Sequence, residues 1–169
     1  DGEGPIPDRL RSQIRAAREA GCDVPFYYTV PDGHNPAGFS FSQARREAVV
    51  AVAREEGVLI VEDAPYLYIN YADAADRPQP FLSIAPEQTV HLFTGSKIGF
   101  PGPRVGFLYS DATVAIGDGS EVSFKELALT EASGDILFQN PGALRGFEAL
   151  LHDESFRERD SLWPVAETK

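Results

Sequence analysis

The sequence predicts an α/β domain with a mainly parallel sheet, one antiparallel strand and flanking helices. Three observations carry that expectation. Four short runs rich in apolar, aromatic and β-branched residues, Pro25–Val30, Val58–Val61, Thr89–Thr94 and Arg104–Tyr109, read as buried strands. A helical pattern precedes the first run and another separates the first from the second, as in strands joined by crossover helices. The third and fourth runs are separated by only nine residues. That is too short for a parallel crossover, so this pair is expected to be antiparallel.

The elements follow in order. Leu10, Ile14 and Ala17 recur at helical spacing and put the first helix over Asp8–Ala20. Asp8 is its expected cap, Ile6 its hydrophobic staple and Gly21 its stop. Pro31–Gly38 is punctuated by proline and glycine and must be a loop. Ser40 with Gln43 three residues on has capping-box spacing and opens the second helix. Its apolar stripe is Ala44, Ala48, Val49, Val52 and Ala53, and Gly57 ends it. After Ser110 the texture changes. Val114–Thr130 carries strand-like pieces around Gly117-Asp118-Gly119, a hairpin turn. Asn140-Pro141 suits a helix start, and helical pattern runs from Ala143 to Leu151 and again from Ser155.

Composition narrows the function classes. A chain of 169 residues predicts one domain, and 43% hydrophobic with 24% charged residues is globular. The net charge of −11 disfavours binding nucleic acid or an anionic membrane through the overall field, although a local pocket can still hold an anion. With Cys22 as the only cysteine, neither an internal disulfide nor a cysteine zinc site can form. That suits a reducing compartment, and a cytoplasmic location is expected. No apolar run approaches the ~20 residues of a membrane helix. His34, His91 and His152 are too scattered for a metal site. His34 reads as a loop residue, His91 as strand packing and His152 as surface. The chain has no methionine and begins at Asp1, which raises the expectation of a fragment of a longer protein.

The polar residues that stand out lie just beyond strand ends: Asn35; Asp63 with Tyr66; and Thr94, Ser96 and Lys97. Ligands of open α/β sheets bind beyond the carboxyl ends of strands, so these segments should share one crevice. Arg104 opens the returning strand and should lie at the same end. A lysine beside hydroxyls and an arginine can hold a phosphate-bearing aldehyde as a Schiff base. An aspartate can keep a pyridine nitrogen protonated, and a tyrosine and an asparagine can donate to a phenolate oxygen. That set describes a pyridoxal phosphate site.

The motifs also resemble those of a known family. Tyr28–Gly38 is similar to an Asn-Pro-x-Gly loop, Val61–Tyr66 to an Asp-x-x-Tyr motif, and Thr94-Gly95-Ser96-Lys97 with Arg104 and Gly106 to a Schiff-base lysine segment. Together they resemble the class I/II aminotransferases of fold type I, and most of all their aminoadipate and kynurenine branch. The similarity covers roughly Pro25–Ser110, with a weaker echo at Ser161–Ala166. It implies that Lys97 forms the Schiff base and shuttles a proton, and that Asp63 pairs with the ring nitrogen. It implies that Tyr66 and Asn35 bond the phenolate oxygen, and that Thr94, Ser96 and Arg104 hold the phosphate. Gly95 stands where a bulky residue is common, Pro103 where an aliphatic one is usual, and Ala37 where threonine is frequent.

The resemblance further implies a division of the chain. Residues 1–110 would be the second half of a large cofactor-binding domain. Residues 111–140 would be a hairpin-like insertion, and 141–169 helices leading towards a small domain. Half of a site is then expected, the remainder lying upstream, downstream and in the partner of a homodimer. The implied reaction is amino-group transfer between an amino acid and a 2-oxo acid. Two alternatives stay open: another pyridoxal phosphate reaction (elimination, decarboxylation or oxidation), and a non-enzymatic sensor domain of a transcription regulator. No Gly-x-Gly-x-x-Gly turn supports a nicotinamide site.

Overall fold

The computed structural model describes residues 1–69, 76–98, 101–135 and 141–153. Its elements are α1 (Pro7–Glu19), β1 (Phe26–Thr29), α2 (Gln43–Glu56), β2 (Leu59–Asp63), α3 (Phe81–Ile84), β3 (Thr89–Thr94), β4 (Gly106–Ser110), β5 (Thr113–Ala115), β6 (Glu121–Ser123), α4 (Phe124–Asp135) and α5 (Pro141–His152). Strands β1 to β4 form one sheet in that order. β1, β2 and β3 are parallel, and β4 returns antiparallel to β3. The expected α/β architecture is therefore observed. One core cluster gathers Val49, Val52 and Ala53 of α2, Ile60 of β2 and Phe81 of α3, with Ile14 added from α1.

Helix starts differ from the sequence expectation. α1 begins at Pro7, whose missing N–H costs nothing in the first turn. Ile6 occupies the cap position, and Asp8 pairs with Arg11 at 2.6 Å instead of capping. In α2 the cap is Ser42, which accepts from Arg45 N, and not Ser40. Ser40 is drawn away because its Oγ accepts from Gly33 N at 2.9 Å, closing the loop after β1. Gly57 ends α2 in the left-handed conformation at φ 59°, as its position suggests.

Beyond the sheet, β5 and β6 pair antiparallel around Gly117-Asp118-Gly119. The strand-like pattern expected to reach Thr130 stops at Ser123. Lys125, Glu126, Leu127 and Ala128 are strong helix formers and belong to α4. The segments expected from Ser155 onward lie outside the described residues. Among the described residues, no helix is long and apolar enough to cross a membrane.

Two buried polar networks hold the loops. Arg46 is fully buried and binds Asp32 through both carboxylate oxygens, at 2.6 and 3.3 Å. It also donates to the carbonyls of Pro31, Phe41 and Gln79. One guanidinium thus ties the loop after β1 to α2. Glu62 accepts from Phe81 N and Leu82 N at the start of α3, and its Oε2 lies 2.7 Å from His91 Nδ1. His91 is therefore a buried polar partner rather than simple packing. Removing one member of a buried ion pair strands the other, at a cost of about 3–5 kcal/mol. Arg46→Met should lose that much in denaturant unfolding; a loss under ~1 kcal/mol would mean that Asp32 finds another partner.

Candidate functional site

Parallel pairing brings the carboxyl ends of β1, β2 and β3 together. Asp63 is the last residue of β2 and pairs with Leu92, two residues before Thr94 at the end of β3. The loop after β1, held by Arg46, carries Asn35. Gly33 in this loop has φ 54°, and a Cβ there would lie 3.5 Å from Tyr66 Cβ, so the loop rests on Tyr66. Asn35 lines, with Tyr28 and Thr29, a cavity of about 470 Å³ beside β1.

Lys97 ends a short 3₁₀ turn, Gly95–Lys97, directly after β3. Thr94 caps that turn by accepting from Ser96 N at 3.2 Å, and Gly95 N donates to Val105 O at 3.0 Å. The Lys97 ammonium stands 5.8 Å above the centre of the Tyr66 ring, within cation–π range. Arg104 precedes β4 and does not open it. It sits at φ 56°, an uncommon conformation for a side-chain-bearing residue and one that concentrates at functional sites. Its Nη1 reaches Ser96 Oγ at 3.5 Å.

The crevice thus collects a primary amine, a carboxylate, a guanidinium beside a hydroxyl, and a phenol ring. A cation with hydroxyls and backbone donors suits an anion such as phosphate. An amine and a carboxylate beside it suit an aldehyde-bearing heteroaromatic ring. The donor set fits pyridoxal phosphate. Among the described residues, no hydrogen bond joins Asn35 to Lys97 or Asp63; it belongs to the cavity wall shared with Tyr28.

One residue escaped the sequence reading. Tyr28 Oη donates to Asp63 Oδ2 at 2.6 Å. The hydrogen bond to Asp63, then burial, then the carboxylate's charge push the phenol up to about 12. A signal existed: with Tyr28 beside Val61 in the parallel ladder, Asp63 is its diagonal neighbour on the same face, within reach of a tyrosine. Only the register reveals it.

The structure also accounts for Gly95. A Cβ there would come 2.5 Å from Phe147 Cε2 of α5. Phe147 packs in turn on Phe93 and Phe107, with ring centres at 6.4 and 5.6 Å. An aromatic ring from α5 fills the space a larger residue at position 95 would need. Overpacking of this kind costs about 1–3 kcal/mol. Gly95→Ala should therefore lower stability by that amount in chemical denaturation, and Phe147→Leu in the same chain should restore part of it. No loss in the single variant would show that α5 does not pack on the turn.

Comparison with known proteins bears on this geometry. No family model matches the chain. Aminotransferase swnA of Metarhizium robertsii is 35% identical over 120 residues, covering 68% of this chain and 24% of the relative. The mitochondrial kynurenine/alpha-aminoadipate aminotransferase of Bos taurus is 32% identical over 117 residues, covering 64% and 27%. Among solved structures, kynurenine aminotransferase of Pyrococcus horikoshii, in complex with PMP, superposes with a TM-score of 0.63 at 27% identity, over 80% of this chain and 31% of that one. Aminotransferase Aro8 of Candida albicans gives 0.67 at 25% identity, over 96% and 35%. The chain spans about a quarter of the length of the curated relatives it matches.

Proposed function

We propose that this chain, which shares its fold and its sequence pattern with the fold-type I aminotransferases, supplies cofactor-handling residues for amino-group transfer between an amino acid and a 2-oxo acid. The observation that carries the reading is the gathering of Lys97, Asp63, Tyr66 and the Arg104–Ser96 pair at one end of a parallel sheet. Pyridoxal phosphate, bound there, supplies an aldehyde that accepts the amino group and a ring that withdraws electrons.

The protein residues do the rest. Lys97 would hold the aldehyde carbon, and its amine would serve as the group that moves the proton at the substrate Cα. Asp63 holds the proton at the ring nitrogen. Tyr66 and Asn35 donate to the ring oxygen. Thr94, Ser96 and Arg104 bind the phosphate, the guanidinium providing charge and the hydroxyls direction. Arg104 and Asp63 carry opposite charges, as phosphate and protonated ring nitrogen require.

The test is product analysis of the protein that carries this chain, loaded with pyridoxal phosphate and offered a panel of amino acids with 2-oxoglutarate. Matched appearance of glutamate and the donor's 2-oxo acid is expected. Ammonia release, amines from decarboxylation, or no product would overturn the transfer reading. We further propose a homodimer and a cytoplasmic location for the protein that carries this chain. Light scattering and cell fractionation test these, the latter against the mitochondrial site in the bovine relative's name.

A further inference from the structure

We propose that Tyr28 is a positioning residue for Asp63, aiming its carboxylate at a cationic ring nitrogen while leaving its negative charge intact. The inference rests on the proposed pyridoxal phosphate function and goes beyond the residues assigned to it above.

The geometry is specific. β1 and β2 run parallel with Tyr28 beside Val61, so the phenol leans towards the carboxyl end of β2 and reaches Asp63 Oδ2 at 2.6 Å. That length belongs to a charge-assisted bond from a hydroxyl to an ionised carboxylate. Among the described residues, Oδ1 accepts no hydrogen bond. One oxygen is therefore fixed by the protein, and none of the described residues competes with a ligand for the other.

The donor's chemistry matters as much as its place. A lysine or arginine at position 28 would neutralise Asp63 and compete with a protonated ring nitrogen for the same charge. A phenol orients the carboxylate and adds no charge. Asp63 in turn pushes the phenol up to about 12, so Tyr28 remains a donor throughout the neutral range. Asp63 is the last residue of β2, so the contact lies at the carboxyl end of the parallel strands.

The alternative is that the bond merely ties β1 to β2. Tyr28→Phe and Asp63→Asn, made in the protein that carries this chain, separate the two. Without cofactor, alkaline difference absorbance between wild type and Tyr28→Phe should isolate one phenol titrating near 12. Asp63→Asn should bring that phenol down towards its ordinary range. With cofactor, Tyr28→Phe should lower kcat roughly 10- to 100-fold, the worth of one hydrogen bond to a charged group. KM for the amino donor and the melting temperature should hardly move. A normal kcat in Tyr28→Phe, or a fall explained by a lower melting temperature, overturns the positioning role. A normal kcat in Asp63→Asn instead overturns the assignment of Asp63 itself. Asp63→Asn impaired with Tyr28→Phe unimpaired defeats this inference alone.

Discussion

Lys97→Ala is expected to abolish transamination, with turnover reduced by at least ~10³-fold. Two losses combine. A positioned general acid–base group contributes about 10²- to 10⁴-fold, and the nucleophile that anchors the aldehyde is removed with it. The structure makes the assignment selective. The chain has three lysines, Lys97, Lys125 and Lys169. Among the described residues, only Lys97 follows a sheet strand at the crevice, held by the Thr94-capped turn and standing over Tyr66. Lys125 lies on α4, beyond the hairpin. Borohydride reduction in the presence of pyridoxal phosphate, followed by peptide mapping, should find the adduct on Lys97. Lys97→Arg should be as inactive as the alanine variant, because a guanidinium keeps the charge but is not a nucleophilic amine. An adduct on Lys125 or Lys169, or turnover within ~10-fold of wild type in Lys97→Ala, would overturn the role.

Much of this arrangement is legible in the sequence because strand ends are marked by composition. Leu59–Val61 is an apolar run and Val90–Phe93 is apolar but for His91, both read as buried strands, and the polar residues that follow them stand out by contrast. The short connection from Thr94 also dictates an antiparallel return. What escapes is set by tertiary contact. Ser40 and Ser42 both precede a helix by plausible spacing, and the choice between them falls to Gly33 N, which engages Ser40 Oγ only once the loop folds back. Arg104 reads as a strand residue because Val105–Tyr109 does, yet its left-handed backbone keeps it in the preceding loop. Asp32 and Arg46 resemble surface charges, and their complete burial follows only from the loop crossing α2. The Tyr28–Asp63 and Glu62–His91 bonds both require the register between neighbouring strands, which apolar runs alone leave open.

Asp63→Ala should cost turnover far more than it costs cofactor retention. In the proposed role the carboxylate would keep the ring nitrogen protonated, so that a bound ring could act as an electron sink. That demand is greatest in the transition state, and only an interaction stronger there than in the ground state raises the rate. In the proposed site, cofactor retention would be spread over Lys97, Thr94, Ser96 and Arg104, so loss of one contact should leave most of it in place. Truncating one member of a desolvated, hydrogen-bonded charge pair costs about 2–5 kcal/mol, equivalent to roughly 30- to 5,000-fold in kcat. The alanine variant also leaves the Tyr28 phenol without its acceptor. Asp63→Glu preserves the charge but displaces it by one methylene, so it should recover part of the loss, whereas Asp63→Asn should not. The decisive comparison is kcat against the dissociation constant of pyridoxal phosphate, measured by absorbance titration across the three variants. A parallel fall in both would make Asp63 an ordinary binding contact. Near-normal kcat in Asp63→Ala would show that the carboxyl end of β2 does not face the ring at all.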